Sequence, residues 1–166
     1  MPVMFRFILA VSWMLAGIDA VNAQTAFYRA PSSEVAGSPG TLVRKEVIDG
    51  APLGATTYRV LYRSTGLDDK PILVSGVVIV PPGDPPPGGR PIVAWAHPTS
   101  GIVPHCAPSL AIFLFEQIQG LRSFMRDGYV VAATDYPGLG TAGPHPYLVG
   151  TSEARAVIDS VRVAAT

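Results

Sequence analysis

The sequence predicts an α/β fold in which an antiparallel strand pair precedes a parallel β-α-β unit. Three observations predict it. Two β-rich segments, 58–63 and 73–80, flank one polar turn. Short apolar strands at 92–96 and 129–134 bracket a stretch with helical periodicity. A second helical pattern begins near residue 152. Strand and helix signals in alternation point to a sheet with helical crossovers.

The first 23 residues stand apart from this domain. Arg6 gives a short positive region, and Phe7 to Gly17 is an apolar run of signal-peptide length. Val21-Asn22-Ala23 supplies compact residues for a cleavage site, so cleavage is expected after Ala23. A membrane anchor fits less well, because a span needs roughly 20 apolar residues and Asp19 interrupts the run. The chain is therefore expected to be secreted or periplasmic, with no stable membrane span.

Residues 24–40 read as an irregular lead-in, with turn chemistry at Ala30-Pro31-Ser32-Ser33 and Gly37-Ser38-Pro39-Gly40. Tyr58, Val60 and Tyr62 then alternate with Arg59, Leu61 and Arg63, the period of a strand with two different faces. Leu73 to Val80 is a nearly continuous β-branched run, as in a strand buried on both faces. The turn at Gly66 to Pro71 makes these two an antiparallel hairpin. Pro81 to Pro91 reads as a stiff surface loop rather than a linker, because too little chain precedes it to bury a separate core.

Ile92 to Ala96 is a short apolar strand. Residues 109–126 place Leu110, Leu114, Ile118, Leu121 and Met125 on one helical stripe, with Gly128 suited to the helix C-terminus. Tyr129 to Thr134 is the next buried strand, expected to run parallel to 92–96. A last helix carries Ala156, Val157, Val161 and Ala164. A helix after a parallel strand normally leads into another strand. None follows within this sequence, so the sheet is expected to be incomplete.

Composition excludes several function classes. The 12 basic residues balance the 12 acidic ones, leaving no basic stripe for nucleic acid. Hydrophobic residues make up 48%, enough for a core rather than a disordered tail. Cys106 is the one cysteine, and His97, His105 and His145 lack metal-ligand spacing, so no metal or other cofactor is expected.

Ligands of open α/β sheets bind beyond the carboxyl ends of the strands. Two polar, glycine-bearing turns occupy such ends. The first carries His97, Thr99 and Ser100, and the second carries Asp135, Tyr136 and Gly138. The first resembles a loop that donates an oxyanion-hole N–H. Pro98 has none to give, so the donor is Thr99 or Ser100, with Thr99 favoured. Gly150-Thr151-Ser152-Glu153-Ala154 approximates the G-x-S-x-G nucleophile elbow. Against it, Pro144 and Pro146 crowd the preceding segment, Ala154 replaces the last glycine, and Ser152 suits a helix N-cap. Ser152 is therefore read as a cap, and no catalytic residue is assigned with assurance.

The segments Pro39 to Leu42, Tyr58 to Ser64, Gly76 to Val78, Ala94 to Thr99, Cys106 to Ser109 and Asp135 to Gly140 resemble the secretory lipase family of α/β-hydrolases. The resemblance implies a secreted triacylglycerol lipase or carboxylesterase with a Ser-His-Asp triad acting on small-molecule or lipid esters. It implies strand order 1-2-4-3-5, with the hairpin as strands 1 and 2. The nucleophile elbow of that family follows strand 5, beyond the helix at Ser152. Residues 24–166 are thus expected to form the N-terminal part of an α/β-hydrolase domain, truncated before the elbow and inactive alone. Cys106 resembles a family cysteine whose disulfide partner lies downstream. Loss of strand 5 would leave 92–96 as an aggregation-prone edge. Two other readings compete: a non-catalytic exported binding module, and a small active esterase using Ser152.

Overall fold

The computed structural model describes residues 26–166. The expected signal peptide and its cleavage after Ala23 lie outside the described residues. The sheet has five strands: β1 (Leu42–Ile48), β2 (Thr56–Thr65), β3 (Pro71–Val80), β4 (Ile92–Trp95) and β5 (Val130–Thr134). Their spatial order is β1-β2-β3-β5-β4. β1, β2, β3 and β5 pair antiparallel in succession, and β4 pairs parallel with β5. Counted from β2, this is the implied 1-2-4-3 order with one strand added at the near edge.

That added strand, β1, is absent from the sequence reading. Its centre is Arg44-Lys45-Glu46, which breaks any apolar run. Charged residues are expected on an edge strand, where they discourage further pairing. The hairpin is therefore the inner part of a three-stranded meander.

The connection between β4 and β5 also differs from its expectation. The single helix over 109–126 is instead a 3-10 turn at Pro108–Leu110, a short α1 (Leu114–Gln117) and α2 (Leu121–Arg126). The break lies at Ile118, which is extended, and Gly120, whose φ of 79° is left-handed. Glycine adopts that conformation without a Cβ penalty. Four residues of the stripe, Leu114, Ile118, Leu121 and Met125, are buried together, whereas Leu110 is half-buried against Phe27, Tyr28 and Leu61. Gly128, at φ 81°, closes α2 as expected. The last helix, α3 (Gly150–Ala164), begins two residues before Ser152.

Two apolar layers sandwich the sheet, and strand alternation assigns residues to each. Val77, Ile79, Val131 and Ala133 face α1 and α2. Val74, Val78 and Val130 face α3, with Val60, Tyr62, Ala156 and Val163. β3 and β5 are thus covered on both faces, as their apolar runs predict. Among the described residues, no helix is long and apolar enough to cross a membrane.

Candidate functional site

The loops after β4 and β5 leave the same end of the sheet, because the two strands are parallel neighbours. His97 is buried just beyond β4. Its ring lies 4.3 Å from the Tyr136 ring, tilted by 36°. Nδ1 faces the Pro98 carbonyl at 2.7 Å, and Nε2 faces the Asp135 carbonyl at 3.1 Å. His97 therefore clamps one strand-end loop to the other.

Tyr136 has a φ of 70°, an uncommon left-handed value for a bulky residue. Its N–H donates to Thr134 Oγ1 at 3.1 Å. The Tyr62 hydroxyl donates to the Ala156 carbonyl at 3.0 Å, so at its 2.7 Å contact with Thr134 it accepts. A relay thus runs from the Tyr136 N–H through Thr134 and Tyr62 into α3. Burial pushes the Tyr62 hydroxyl pKa upward, keeping it a neutral donor. Removing this hydroxyl in Tyr62→Phe leaves a buried carbonyl and a buried threonine short of partners. The expected cost is about 1–3 kcal/mol, read as a lowered urea midpoint with an unchanged m-value.

Asp135 is the hub of a second network. One carboxylate oxygen accepts the Ser109 N–H at 2.8 Å. The other accepts the hydroxyls of Ser75, at 2.6 Å, and of Ser109. The Ser109 hydroxyl in turn accepts from Tyr28 at 2.7 Å. The carboxyl is fully buried, and this desolvation raises its pKa above 3.8 despite the hydrogen bonds from Ser109 and Ser75 that oppose the rise. Arg59 donates to the Ser109 carbonyl at 3.1 Å and pairs with Glu46.

The remaining sequence-selected residues lie around these hubs. Thr99 and Ser100 are exposed, and the Thr99 hydroxyl meets the Tyr147 hydroxyl at 3.1 Å. Gly138 has a φ of 78°, and a Cβ there would lie 2.5 Å from the His145 nitrogen. His145 Nδ1 faces the Pro137 carbonyl at 2.9 Å. Cys106 is a half-buried free thiol packed on Gly101, where a Cβ would lie 2.3 Å from Sγ. The Gly140 N–H donates to the Pro104 carbonyl at 2.7 Å, a further tie between the two loops.

Ser152 stands elsewhere. It is not the N-cap: Val149 is, with no side-chain capping bond. Tyr147 to Val149 belong to a turn rather than a strand, and Leu148 has a φ of 61°. Ser152 sits inside the first turn of α3, 2% exposed, with no hydrogen-bond partner for its hydroxyl. His97 and His145 are engaged with backbone carbonyls instead. Sequence reasoning gave no role to Tyr28, Ser75 or Ser109. Tyr28 falls in a stretch without periodicity, and the two serines lie in otherwise apolar or loop segments, so no spacing signals them.

No family model matches this chain. It is 26% identical to a secreted triacylglycerol lipase of Malassezia globosa, a match over 84% of this chain and 32% of that protein. The chain thus spans about a third of the length of that relative. Candida antarctica lipase A in its closed state has the same fold, with a TM-score of 0.65 at 18% identity over 82% of this chain and 34% of that one. A rice cell wall degrading esterase from Xanthomonas oryzae superposes with a TM-score of 0.60 at 25% identity, over 78% and 38% respectively.

Proposed function

We propose that this chain, whose sheet is that of the α/β-hydrolase lipases and esterases, is the N-terminal part of a secreted carboxylic-ester hydrolase acting on lipid esters. The observation that carries the reading is the β3-β5-β4 arrangement, which brings the His97–Ser100 and Asp135–Gly140 loops to one end of the sheet. The likeness to a secreted triacylglycerol lipase supports the substrate class and an extracellular location; cleavage of a signal peptide after Ala23 rests on the pattern of the first 23 residues.

In this reading the intact enzyme transfers an acyl group. A serine attacks the ester carbonyl, a histidine carries the proton, and backbone N–H groups hold the oxyanion. The chain contributes the loop at Thr99, whose N–H is one oxyanion donor. The clamp of His97 on Asp135 and Tyr136 fixes the base of that loop. The nucleophile, acid and base belong to the part of the enzyme beyond α3, and Cys106 pairs there with a second cysteine. One oxyanion donor is worth about 2.7–4 kcal/mol of barrier, which without a nucleophile gives no turnover.

The 166-residue chain is therefore expected to hydrolyse p-nitrophenyl butyrate no faster than buffer, and a fluorophosphonate probe is expected to leave Ser152 unlabelled. A polypeptide that continues through a strand, a G-x-S-x-G turn and a helix is expected to be active and to lose activity when that elbow serine is changed. Robust turnover by the 166-residue chain, abolished by Ser152→Ala, would overturn the assignment and make Ser152 the nucleophile.

A further inference from the structure

A cavity of about 830 Å³ opens against both strand-end loops, lined by Pro104 and His105 from the first and by Gly140 to Ala142 from the second. None of His97, Thr99, Ser100 or Tyr136 lines it. It lies at the same end of the sheet, because the first residues of β3, Pro71 to Leu73, extend past the Gly76–Thr134 pair that ends β5. Its size falls within the range of small-molecule sites, about 300–1,000 Å³.

The lining has a consistent chemistry. Val35, Ile72, Leu73 and Leu110 give it an apolar wall. Arg29 and His105 are the basic side chains of the lining, and it contains no Asp or Glu. Arg29 forms no ion pair among the described residues. Its neighbour Tyr28 is fixed by the bond to Ser109, and Gly140 closes on the Tyr28 ring so tightly that a Cβ would lie 2.7 Å away. The wall nearest the network is therefore preformed, and preformed walls reduce the ordering cost of binding.

An apolar wall with a guanidinium, an imidazole and no carboxylate selects a long apolar molecule with an anionic head. We propose that this cavity binds a fatty acid, its alkyl chain against Val35, Ile72, Leu73 and Leu110 and its carboxylate toward Arg29 and His105. The inference stands on the cavity and does not require the chain to hydrolyse esters.

The test is equilibrium binding of fluorescent cis-parinaric acid to the purified chain, with dodecanoate and dodecanol as competitors. Saturable one-site binding is expected, with dodecanoate the stronger competitor. Arg29→Ala is expected to weaken dodecanoate by up to about fivefold, the scale of an exposed ion pair, while leaving dodecanol unchanged. Ala142→Trp and Val35→Trp each place an indole at the cavity wall without entering the strand core. Both are expected to abolish binding with an unchanged circular dichroism spectrum. Absence of saturable binding by the parent chain overturns the site, as does undiminished binding by both tryptophan variants. Equal competition by dodecanol and dodecanoate overturns the anionic head group.

Discussion

Replacing Asp135 by alanine is expected to cost about 3–5 kcal/mol, because it strands buried neutral donors at about 1–3 kcal/mol each. The Ser109 N–H and the hydroxyls of Ser109 and Ser75 all point at this one carboxyl group. Without it they remain buried; Ser75 has a nearby substitute in the Leu139 carbonyl at 3.3 Å and the Ser109 hydroxyl in Tyr28 at 2.7 Å, but the Ser109 N–H loses its acceptor. A typical domain has about 5–15 kcal/mol in total, so a substantial part of its margin is lost. Urea denaturation of the variant should show a much lower midpoint, and a change below about 1 kcal/mol would remove Asp135 from its place as hub.

The same carboxyl group has a pH signature. Burial raises its folded-state pKa above the ordinary 3.8. Between those two values the folded state binds more protons than the unfolded state. Stability from this group therefore increases as the pH falls through the raised value toward 3.8, and decreases as the pH rises again. Carboxylates held in salt bridges behave in the opposite way. The difference in stability between the parent chain and Asp135→Asn should thus shift in favour of the parent on mild acidification. A difference independent of pH would show that the carboxyl group titrates normally.

The second large effect belongs to Gly76. Its conformation is not left-handed; what requires glycine is space. A Cβ there would lie 2.4 Å from the Ala133 carbonyl oxygen and 3.0 Å from the Thr134 Cα, both backbone atoms of β5. Backbone on the central seam cannot rotate away as a side chain would. Gly76→Ala must push β3 and β5 apart, straining a ladder that runs from Gly76–Thr134 to Ile79–Val131. The expected cost is about 3 kcal/mol or more, at the upper end of overpacking effects. Gly150→Ala is the matched control. Nothing lies within 4 Å of a Cβ there, and the residue opens α3. That substitution is expected to be neutral or to stabilise by about 0.5–1 kcal/mol. Thermal denaturation of both variants checks the contrast.

How far the sequence could be read depended on where burial was symmetrical. β3 and β5 are covered on both faces, so their apolar runs were legible without knowledge of the fold. β1 was not, because an edge strand built around Arg44-Lys45-Glu46 lacks the apolar pattern that marks a buried one. The stripe from Leu114 to Met125 was read correctly as a buried face and wrongly as one continuous helix. Periodicity reports which side chains turn inward, whereas the break depends on the φ of Gly120, which a stripe does not encode. At the site, the two strand-end turns were visible because glycine and polar residues interrupt apolar strands. The Tyr28–Ser109–Asp135–Ser75 network was invisible, because its members come from four distant segments and their alignment exists only after folding. Ser152 shows the same limit: an elbow-like spelling was present, but a turn precedes it where a strand would be needed.

The position of β5 between β3 and β4 constrains the timing of assembly. During synthesis β4 emerges long before the strand it pairs with, and β3 offers it only the edge that β5 must later occupy. The β1–β2–β3 meander can close early from nearby segments, but β4 must wait for the whole connection through α1 and α2. Until β5 arrives, Ile92-Val93-Ala94-Trp95 is a nascent sticky segment. A chain crossing a membrane in the unfolded state would depend on chaperones during that interval.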